Sequence, residues 1–200
     1  MLMQIFRNLD DKKISQLLKD GSVGVIPTDT VYGLVCRAVD EKAVARLYGL
    51  KKRHNKPGTI IASSVDQLVD LGIKKRYLTA VELFWPNPLS IIITVALEFE
   101  YVHQGKQSLA CRVVNGPQKL LDVLSIVGPL LTTSANHPRE PEATNIAQAQ
   151  KYFGDNIEFY VDGGDLSGRL PSTVIRVVDD AIEVLREGAV KIDETGRITS

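Results

Sequence analysis

Apolar residues along this chain recur either three and four positions apart or in short continuous runs, which predict helices and strands respectively. Gly21 suits the position just past the end of a first helix. Asp40 suits the N-cap of a second helix, and Ser64 with Gln67 forms a capping box that starts a third. Helices are therefore predicted within residues 10–19, from residues 40 and 64 onward, and at 77–84, 117–125 and 145–153.

Continuous apolar runs rich in β-branched residues predict strands. They lie at residues 23–26, 59–62, 90–95, 109–114, 130–133, 157–161, 172–178 and 182–186. Pro27 ends the first strand because proline has no N–H to donate to a sheet, and Gly33 suits a hinge shortly after it. Helices and strands alternate early and strands dominate the last third. The pattern therefore predicts an α/β fold, a mixed sheet with helices packed on it.

The composition is that of one ordinary globular domain, residues 1–200. Hydrophobic residues make up 44% and charged residues 24%, which argues against disorder. No apolar run is long enough to span a bilayer, and we expect no secretion signal at the N-terminus. Cys36 and Cys111 are isolated thiols that fit a reducing cytosol, so we expect a cytoplasmic protein. The formal net charge is zero, so bulk charge predicts no nucleic-acid partner.

Motifs for several common sites are absent from the sequence. It has no GxxxxGK[ST] loop, no GxGxxG after a strand and no GxSxG elbow, which excludes these phosphate, dinucleotide and serine-hydrolase sites. His54, His103 and His137 are far apart, so we expect no built-in metal site.

Small polar side chains lie at the ends of three of the predicted strands, where open α/β sheets usually bind ligands. The segments are residues 28–30, 132–136 and 172–173. Thr and Asp side chains also bond their local backbone in ordinary turns, and Ser134 and Asn136 suit a cap or a turn. The residues alone leave both interpretations open.

Basic residues accompany these segments. Lys51, Arg53 and Lys56 form a run after the second helix, where positive charge commonly does no more than complement the helix dipole. Arg112 lies inside an apolar strand, where a guanidinium needs either a ligand carboxylate or an acidic residue nearby. Arg186 lies near another strand end. Hydroxyls with converging Lys and Arg predict a pocket for a phosphate-bearing ligand and a carboxylate.

The chain resembles the YrdC-like family of threonylcarbamoyl-AMP synthases, of the short single-domain type, over nearly its whole length. The matching motifs are PTDTVYGL at 27–34, KKR at 51–53 followed by KP at 56–57, WPNPL at 85–89, LACRV at 109–113, TSAN at 133–136, PSTV at 171–174 and LREG at 185–188. Each motif alone is weak, but their joint occurrence in this order is specific.

The resemblance implies a YrdC-like domain whose twisted mixed sheet, flanked by helices, holds a concave ligand cavity. It implies a nucleotidyltransferase that forms threonylcarbamoyl-adenylate and pyrophosphate from L-threonine, bicarbonate and ATP with Mg²⁺, without a tightly bound cofactor. The product would serve the threonylcarbamoyl-adenosine modification of tRNA through downstream tRNA threonylcarbamoyl-transfer proteins. Weak binding of tRNA or double-stranded RNA would accompany this role.

The resemblance also implies roles for individual residues. The catalytic tetrad around the nucleotide phosphates would be Lys51, Arg53, Ser134 and Asn136. The ATP site would be completed by Lys56, Ser108 and Arg186. L-Threonine would be held by Thr30, Arg112, Thr132 and Ser172, with Arg112 on its carboxylate.

Three positions depart from the family pattern. His54 stands where proline is common, Asn87 where glycine is usual and Arg176 where aspartate is common. None of these departures removes a member of the tetrad. They keep open an alternative class, a non-catalytic YrdC-like paralogue that binds RNA or acts as a regulator. The complete tetrad favours the enzyme, and the zero net charge argues against RNA binding as the main role.

Overall fold

The computed structural model describes residues 3–52, 55–179, 181–193 and 196–199. Its strands are β1 Gln4–Phe6, β2 Gly24–Pro27, β3 Tyr32–Arg37, β4 Thr59–Ala62, β5 Leu89–Thr94, β6 Ser108–Val113, β7 Leu130–Ser134, β8 Phe159–Val161, β9 Thr173–Val178, β10 Ala181–Arg186, β11 Lys191–Ile192 and β12 Ile198–Thr199. A mixed ten-stranded sheet has the order β1-β8-β2-β3-β7-β4-β6-β5-β9-β10, and β11 pairs with β12. The expected mixed α/β sheet is confirmed.

Helices cover both faces of this sheet. They are α1 Lys12–Lys19, α2 Glu41–Leu50, α3 Val65–Asp70, α4 Lys75–Thr79, α5 Glu100–His103, α6 Gln118–Val127 and α7 Ile146–Phe153. Buried residues of α1 and α6 pack into one core cluster, and those of the other helices pack into a second cluster. Neighbouring strand residues divide between the clusters, Ile60 into one and Ile61 into the other, because successive side chains of a strand point to opposite faces.

The predicted helix boundaries rest on caps that the structure contains. Asp40 Oδ1 accepts a hydrogen bond from Ala43 N at 2.9 Å, and Ser64 Oγ accepts one from Gln67 N at 3.2 Å. Gly21 follows Asp20, the C-cap residue of α1. Its φ is +83°, a backbone conformation that costs free energy for residues that carry a Cβ. These local predictions are confirmed.

The hairpin of β2 and β3 corrects the sequence prediction. β3 was not predicted, yet it pairs antiparallel with β2 on one side and with β7 on the other. Gly33 lies inside β3, opposite Ile26 and Ser134, so the expectation of a hinge was wrong. Pro27 is the last residue of β2, as predicted, and Thr28 N donates to Val31 O at 3.2 Å to close the turn.

The predicted helix at residues 77–84 was wrong in extent. α4 ends at Thr79, and a separate 3₁₀ turn occupies Glu82–Phe84. Hydrogen bonds from Val81 N to Leu78 O and from Phe84 N to Val81 O span three residues rather than four. The tighter winding of this segment replaces the predicted regular α-helix.

Candidate active site

A first cavity lies at the ends of β2 and β7 and at the start of β9. Its volume is about 80 Å³. It is lined by Thr28, Thr30, Val31, Tyr32, Gly33, Gly58, Thr59, Arg112, Thr132, Thr133, Ser134, Glu142, Pro171, Ser172 and Arg186. The structure thus brings together members of all three polar strand-end segments. The four residues expected to hold L-threonine all lie in this lining.

The β2–β3 turn uses its two threonines differently. Thr28 Oγ1 donates to Val31 O at 2.6 Å and accepts from Thr30 N at 3.2 Å, so this hydroxyl holds the turn together. Thr30 Oγ1 lies 3.2 Å from Thr28 Oγ1 and has no other hydrogen-bond partner among the described residues. Local turn bonding therefore accounts for Thr28, whereas the Thr30 hydroxyl keeps bonding capacity for a ligand.

Tyr32 ties the turn to the loop that follows β8. Its hydroxyl accepts from Gly163 N at 2.7 Å and donates to Gly164 O at 2.8 Å. Burial raises the pKa of the Tyr32 phenol, which keeps the hydroxyl protonated and able to donate. Tyr32 thus acts as a structural link at the wall of the cavity.

Gly33 is needed for close packing rather than for conformational freedom. A Cβ at this position would lie 2.5 Å from Thr132 Oγ1 and 3.0 Å from Thr28 Cγ2. Thr28 and Thr132 both line the cavity. The absence of a side chain at Gly33 therefore lets Thr28 of the β2–β3 turn and Thr132 of β7 lie at one wall of the cavity.

Arg112 is buried and already has one acidic partner. Its Nη2 donates to Asp29 Oδ1 at 2.9 Å, and its Nη1 donates to Ser90 Oγ at 3.0 Å. Arg112 Nε and Asp29 Oδ2 are both buried without a hydrogen-bond partner within the described part of the chain. The ion pair is therefore monodentate, and the guanidinium retains N–H groups that can donate to a ligand.

A chain of hydroxyls connects Arg112 to Arg186. Ser90 Oγ lies 2.9 Å from Ser172 Oγ, and Arg186 Nη2 donates to Ser172 Oγ at 3.0 Å and to Ser172 O at 2.6 Å. Burial lowers the pKa of the Arg186 guanidinium, Glu142 opposes this shift, and Arg112 adds to it. Two guanidinium groups are thus fixed relative to each other at one side of the cavity.

A second, larger cavity shares Ser134 with the first. Its volume is about 490 Å³, and it is lined by Lys51, Lys52, Lys56, Ser134, Asn136, His137, Pro138 and Arg139. Four of these residues are basic and none is acidic. Such a surface favours a polyanion.

Lys51 binds the β7 end that separates the two cavities. This lysine is buried, and its Nζ donates to Ser134 O at 2.8 Å, to Asn136 O at 2.5 Å and to Asn136 Oδ1 at 2.8 Å. Ser134 Oγ also donates to Asn136 Oδ1 at 2.8 Å. Three of the four predicted tetrad members therefore form one hydrogen-bonded cluster.

The other residues expected at the ATP site do not all lie in the second cavity. Lys56 lines the second cavity, whereas Arg186 lines the first, beside Arg112. Ser108 begins β6 and its hydroxyl donates to Lys106 O at 3.3 Å, and it is not among the lining residues of either cavity. Arg53, the fourth tetrad member, and His54 lie outside the described residues.

Comparison with known proteins places the chain in a family. A model of the Sua5/YciO/YrdC proteins, described as telomere recombination, matches residues 16–188. The chain belongs to the Sua5/YciO/YrdC family. It is 32% identical to a threonylcarbamoyl-AMP synthase of Pseudomonas syringae pv. syringae over 181 residues, 88% of this chain and 96% of that protein.

Solved structures of Sua5 and YciO share the fold of this family member. Sua5 of P. abyssi complexed with L-threonine is 26% identical with a TM-score of 0.79, over 95% of this chain. The present chain spans 58% of that Sua5 chain. E. coli YciO is 21% identical with a TM-score of 0.78, over 94% of this chain and 96% of YciO, which supports the fold.

Two of the departures from the family pattern lie away from both cavities. Asn87 Nδ2 donates to Phe84 O at 2.8 Å and so stabilises the turn before β5. Arg176 forms an exposed ion pair with Glu183 of β10 at 2.6 Å. Neither residue belongs to the cavity linings given above.

Glu142 and Ser90 were not among the site residues predicted from the sequence. Glu142 lines the first cavity from the loop after β7, and Ser90 bridges Arg112 and Ser172. A single carboxylate in a polar loop belongs to no periodic pattern, and a single serine in an apolar strand does not by itself indicate a functional site. Only their spatial neighbours identify them.

The described residues contain neither a metal-binding cluster nor a membrane-spanning helix. Across residues 3–52, 55–179, 181–193 and 196–199 the side chains of His, Cys, Asp and Glu form no group of three or more that could hold a metal ion. In the same ranges, no helix has the length and apolar character needed to cross a membrane.

Proposed function

We propose that this family member is a threonylcarbamoyl-AMP synthase, a transferase that uses L-threonine and ATP. The observation that carries this proposal is the pair of adjoining cavities that share Ser134. One is small, hydroxyl-rich and flanked by two arginines, whereas the other is larger and basic. An amino acid and a nucleotide bound in them would meet at the end of β7. The P. syringae relative carries the same activity in its name, and the P. abyssi Sua5 structure contains L-threonine.

In the first cavity, Arg112 would bind the carboxylate of L-threonine with the donors that Asp29 leaves unused. The hydroxyls of Thr30, Thr132 and Ser172 would surround the rest of the amino acid. Arg186 would extend the positive charge toward the reacting carbamate.

In the second cavity, Lys51, Lys56, Ser134 and Asn136 would surround the phosphates of ATP. Arg53 is proposed for the same cluster from the sequence motif alone. ATP would enter as its Mg²⁺ complex, so that the metal arrives with the substrate. Ser108 is proposed to contact ATP, which requires the bound nucleotide to extend to the start of β6.

The reaction we propose is a nucleotidyl transfer. The ammonium of L-threonine loses one proton to solvent, the free amine and bicarbonate give the N-carboxylate with loss of water, and a carbamate oxygen then attacks the α-phosphorus of ATP. The bond from the α-phosphorus to the bridging oxygen breaks and pyrophosphate leaves, which yields threonylcarbamoyl-adenylate. The protein would contribute by positioning the two substrates and stabilising the negative charge on the phosphates.

The product would serve the threonylcarbamoyl-adenosine modification of tRNA in the cytoplasm, with downstream transfer proteins as partners and weak RNA binding at most. The zero net charge supports a minor role for RNA. The non-catalytic, RNA-binding alternative is not favoured by the comparisons, and both cavities retain the polar groups that a catalyst needs.

The decisive experiment measures pyrophosphate release with ATP and bicarbonate in the presence of L-threonine, L-serine or no amino acid. We expect release that depends on L-threonine, with threonylcarbamoyl-adenylate detected by mass spectrometry. Equal release in all three reactions, or none in any, would reject the proposed activity.

A further inference from the structure

Glu142 places a negative charge in the cavity that the proposed function assigns to an amino acid. The residue is half-buried and lines the first cavity together with Arg112 and Arg186. In the described part of the chain, its carboxylate has neither a hydrogen bond nor an ion pair. The charge is nevertheless close enough to act on the Arg186 guanidinium.

Three hydrogen bonds hold the backbone around Glu142 in place. Asn136 Nδ2 donates to Glu140 O at 2.6 Å, Tyr152 OH donates to Pro141 O at 2.9 Å, and Ala143 N donates to Ala135 O at 3.1 Å. These bonds attach the segment to the end of β7 and to α7. The position of Glu142 at the cavity is therefore set by the fold.

The arginines of this cavity already have protein partners. Arg112 is paired with Asp29, and Arg186 donates three hydrogen bonds to Ser172. A carboxylate ligand without a positive group would place its charge against Glu142, which is unfavourable in a confined site. An α-amino acid carries an ammonium one carbon away from its carboxylate, so it satisfies the arginines and the glutamate together.

We propose that Glu142 binds the α-ammonium group of the amino-acid substrate and selects α-amino acids over carboxylates that lack the amine. This role rests on the proposed function, because it assumes that the first cavity holds the amino acid. The carboxylate accepts a charge-assisted hydrogen bond from the ammonium, and Arg112 holds the opposite end of the same ligand. Selectivity then comes from two opposite charges at a set spacing.

The test is calorimetric titration with two carboxylate ligands, L-threonine and 3-hydroxybutanoate, which is threonine without its amine, and a separate titration with Mg²⁺–ATP. The proteins are the wild type, Glu142→Gln and the matched control Glu140→Gln, which alters an exposed carboxylate two residues away. We expect Glu142→Gln to weaken L-threonine binding about 10- to 150-fold, the loss of one charge-assisted hydrogen bond. Binding of 3-hydroxybutanoate should be unchanged or tighter, and Glu140→Gln should match the wild type for both ligands.

Unchanged L-threonine affinity in Glu142→Gln overturns the assignment, and so does an equal loss for both ligands. A defect confined to binding of Mg²⁺–ATP also overturns it and assigns the carboxylate to the metal–nucleotide complex. Wild-type protein that binds no L-threonine rejects the proposed function itself, and this outcome is visible without any variant.

Discussion

The guanidinium of Arg112 donates to the carboxylate of Asp29 over 2.9 Å, and the two side chains are only 4% and 7% exposed. The sequence left the anionic partner of Arg112 open between a ligand and an acidic side chain on a nearby strand. The structure supplies the second partner, but from the turn after β2. Because Asp29 uses one oxygen and Arg112 Nε stays unpartnered, this pair orients the guanidinium without using all of its donors.

Replacing Arg112 by Lys should raise the KM for L-threonine about 10- to 150-fold and leave ATP binding nearly intact. A lysine ammonium is a point charge that cannot bond Asp29, Ser90 and a ligand carboxylate in the planar geometry of a guanidinium. Pyrophosphate release at varied L-threonine and calorimetry with ATP measure the two effects.

The matched control for this substitution is Arg176→Lys, because Arg176 forms an exposed ion pair with Glu183. Exposed pairs contribute little, so this variant should behave as the wild type. An Arg112→Lys protein with unaltered threonine dependence, or one that loses ATP binding and folding together, contradicts the role of Arg112 as the amino-acid anchor.

Gly33→Ala should lower the free energy of unfolding by about 1–3 kcal/mol, because the added methyl would overpack the wall of the first cavity. The new Cβ would lie 2.5 Å from Thr132 Oγ1. L-Threonine binding should weaken as the hydroxyl moves. Urea unfolding and calorimetry provide the measurements.

Gly49→Ala is the control for this prediction. Gly49 lies in α2, and a Cβ there would have no neighbour within 4 Å. Alanine should therefore stabilise the protein by about 0.5–1 kcal/mol through its higher helix propensity. Equal effects of the two alanines would show that packing at Gly33 is not restrictive.

Lys51→Met should lower the free energy of unfolding by about 2–4 kcal/mol and abolish nucleotide binding. The Lys51 ammonium satisfies the carbonyls of Ser134 and Asn136, and methionine would leave these acceptors without their charged donor. Lys42→Met on the exposed face of α2 should cost little. A Lys51→Met protein as stable as Lys42→Met would show that the cluster does not depend on the lysine.

Alkaline pH should destabilise the protein through its buried thiols. Burial raises the pKa of Cys111 to about 12, and the pKa of Cys36 is also raised by burial, with Asp40 adding to the shift. Unfolded thiols ionise near pH 8.5, whereas the folded thiols stay protonated. Stability is therefore unaffected below about pH 8.5 and falls above it, by up to about 1.4 kcal/mol per pH unit for each thiol.

Urea unfolding at pH 7, 9 and 10 compares the wild type with Cys111→Ala. The variant should be less stable at pH 7 because a buried side chain is shortened, yet its stability should fall less steeply between pH 9 and 10. Parallel pH profiles for the two proteins would exclude Cys111 as a source of the alkaline loss.

The sequence by itself determined the features that depend on neighbours within one element. The apolar face and the Asp40 cap of α2 and the bounds of β4 follow from local periodicity and local hydrogen bonds. The motif order was enough to indicate the family, and it also named the four residues that now line the first cavity beside Glu142.

Only the tertiary structure decided the features that depend on residues far apart in the chain. β3 is a strand because β2 and β7 pair with it on both sides, and no local pattern around Gly33 encodes that pairing. Asp29 and Arg112 are 83 positions apart, so their ion pair exists only once β6 lies beside the turn after β2. Glu142 faces the arginines because Asn136, Tyr152 and Ala135 hold its loop in place. The partner of a charged side chain depends on which residues lie near it in space, and the linear order of residues does not specify this.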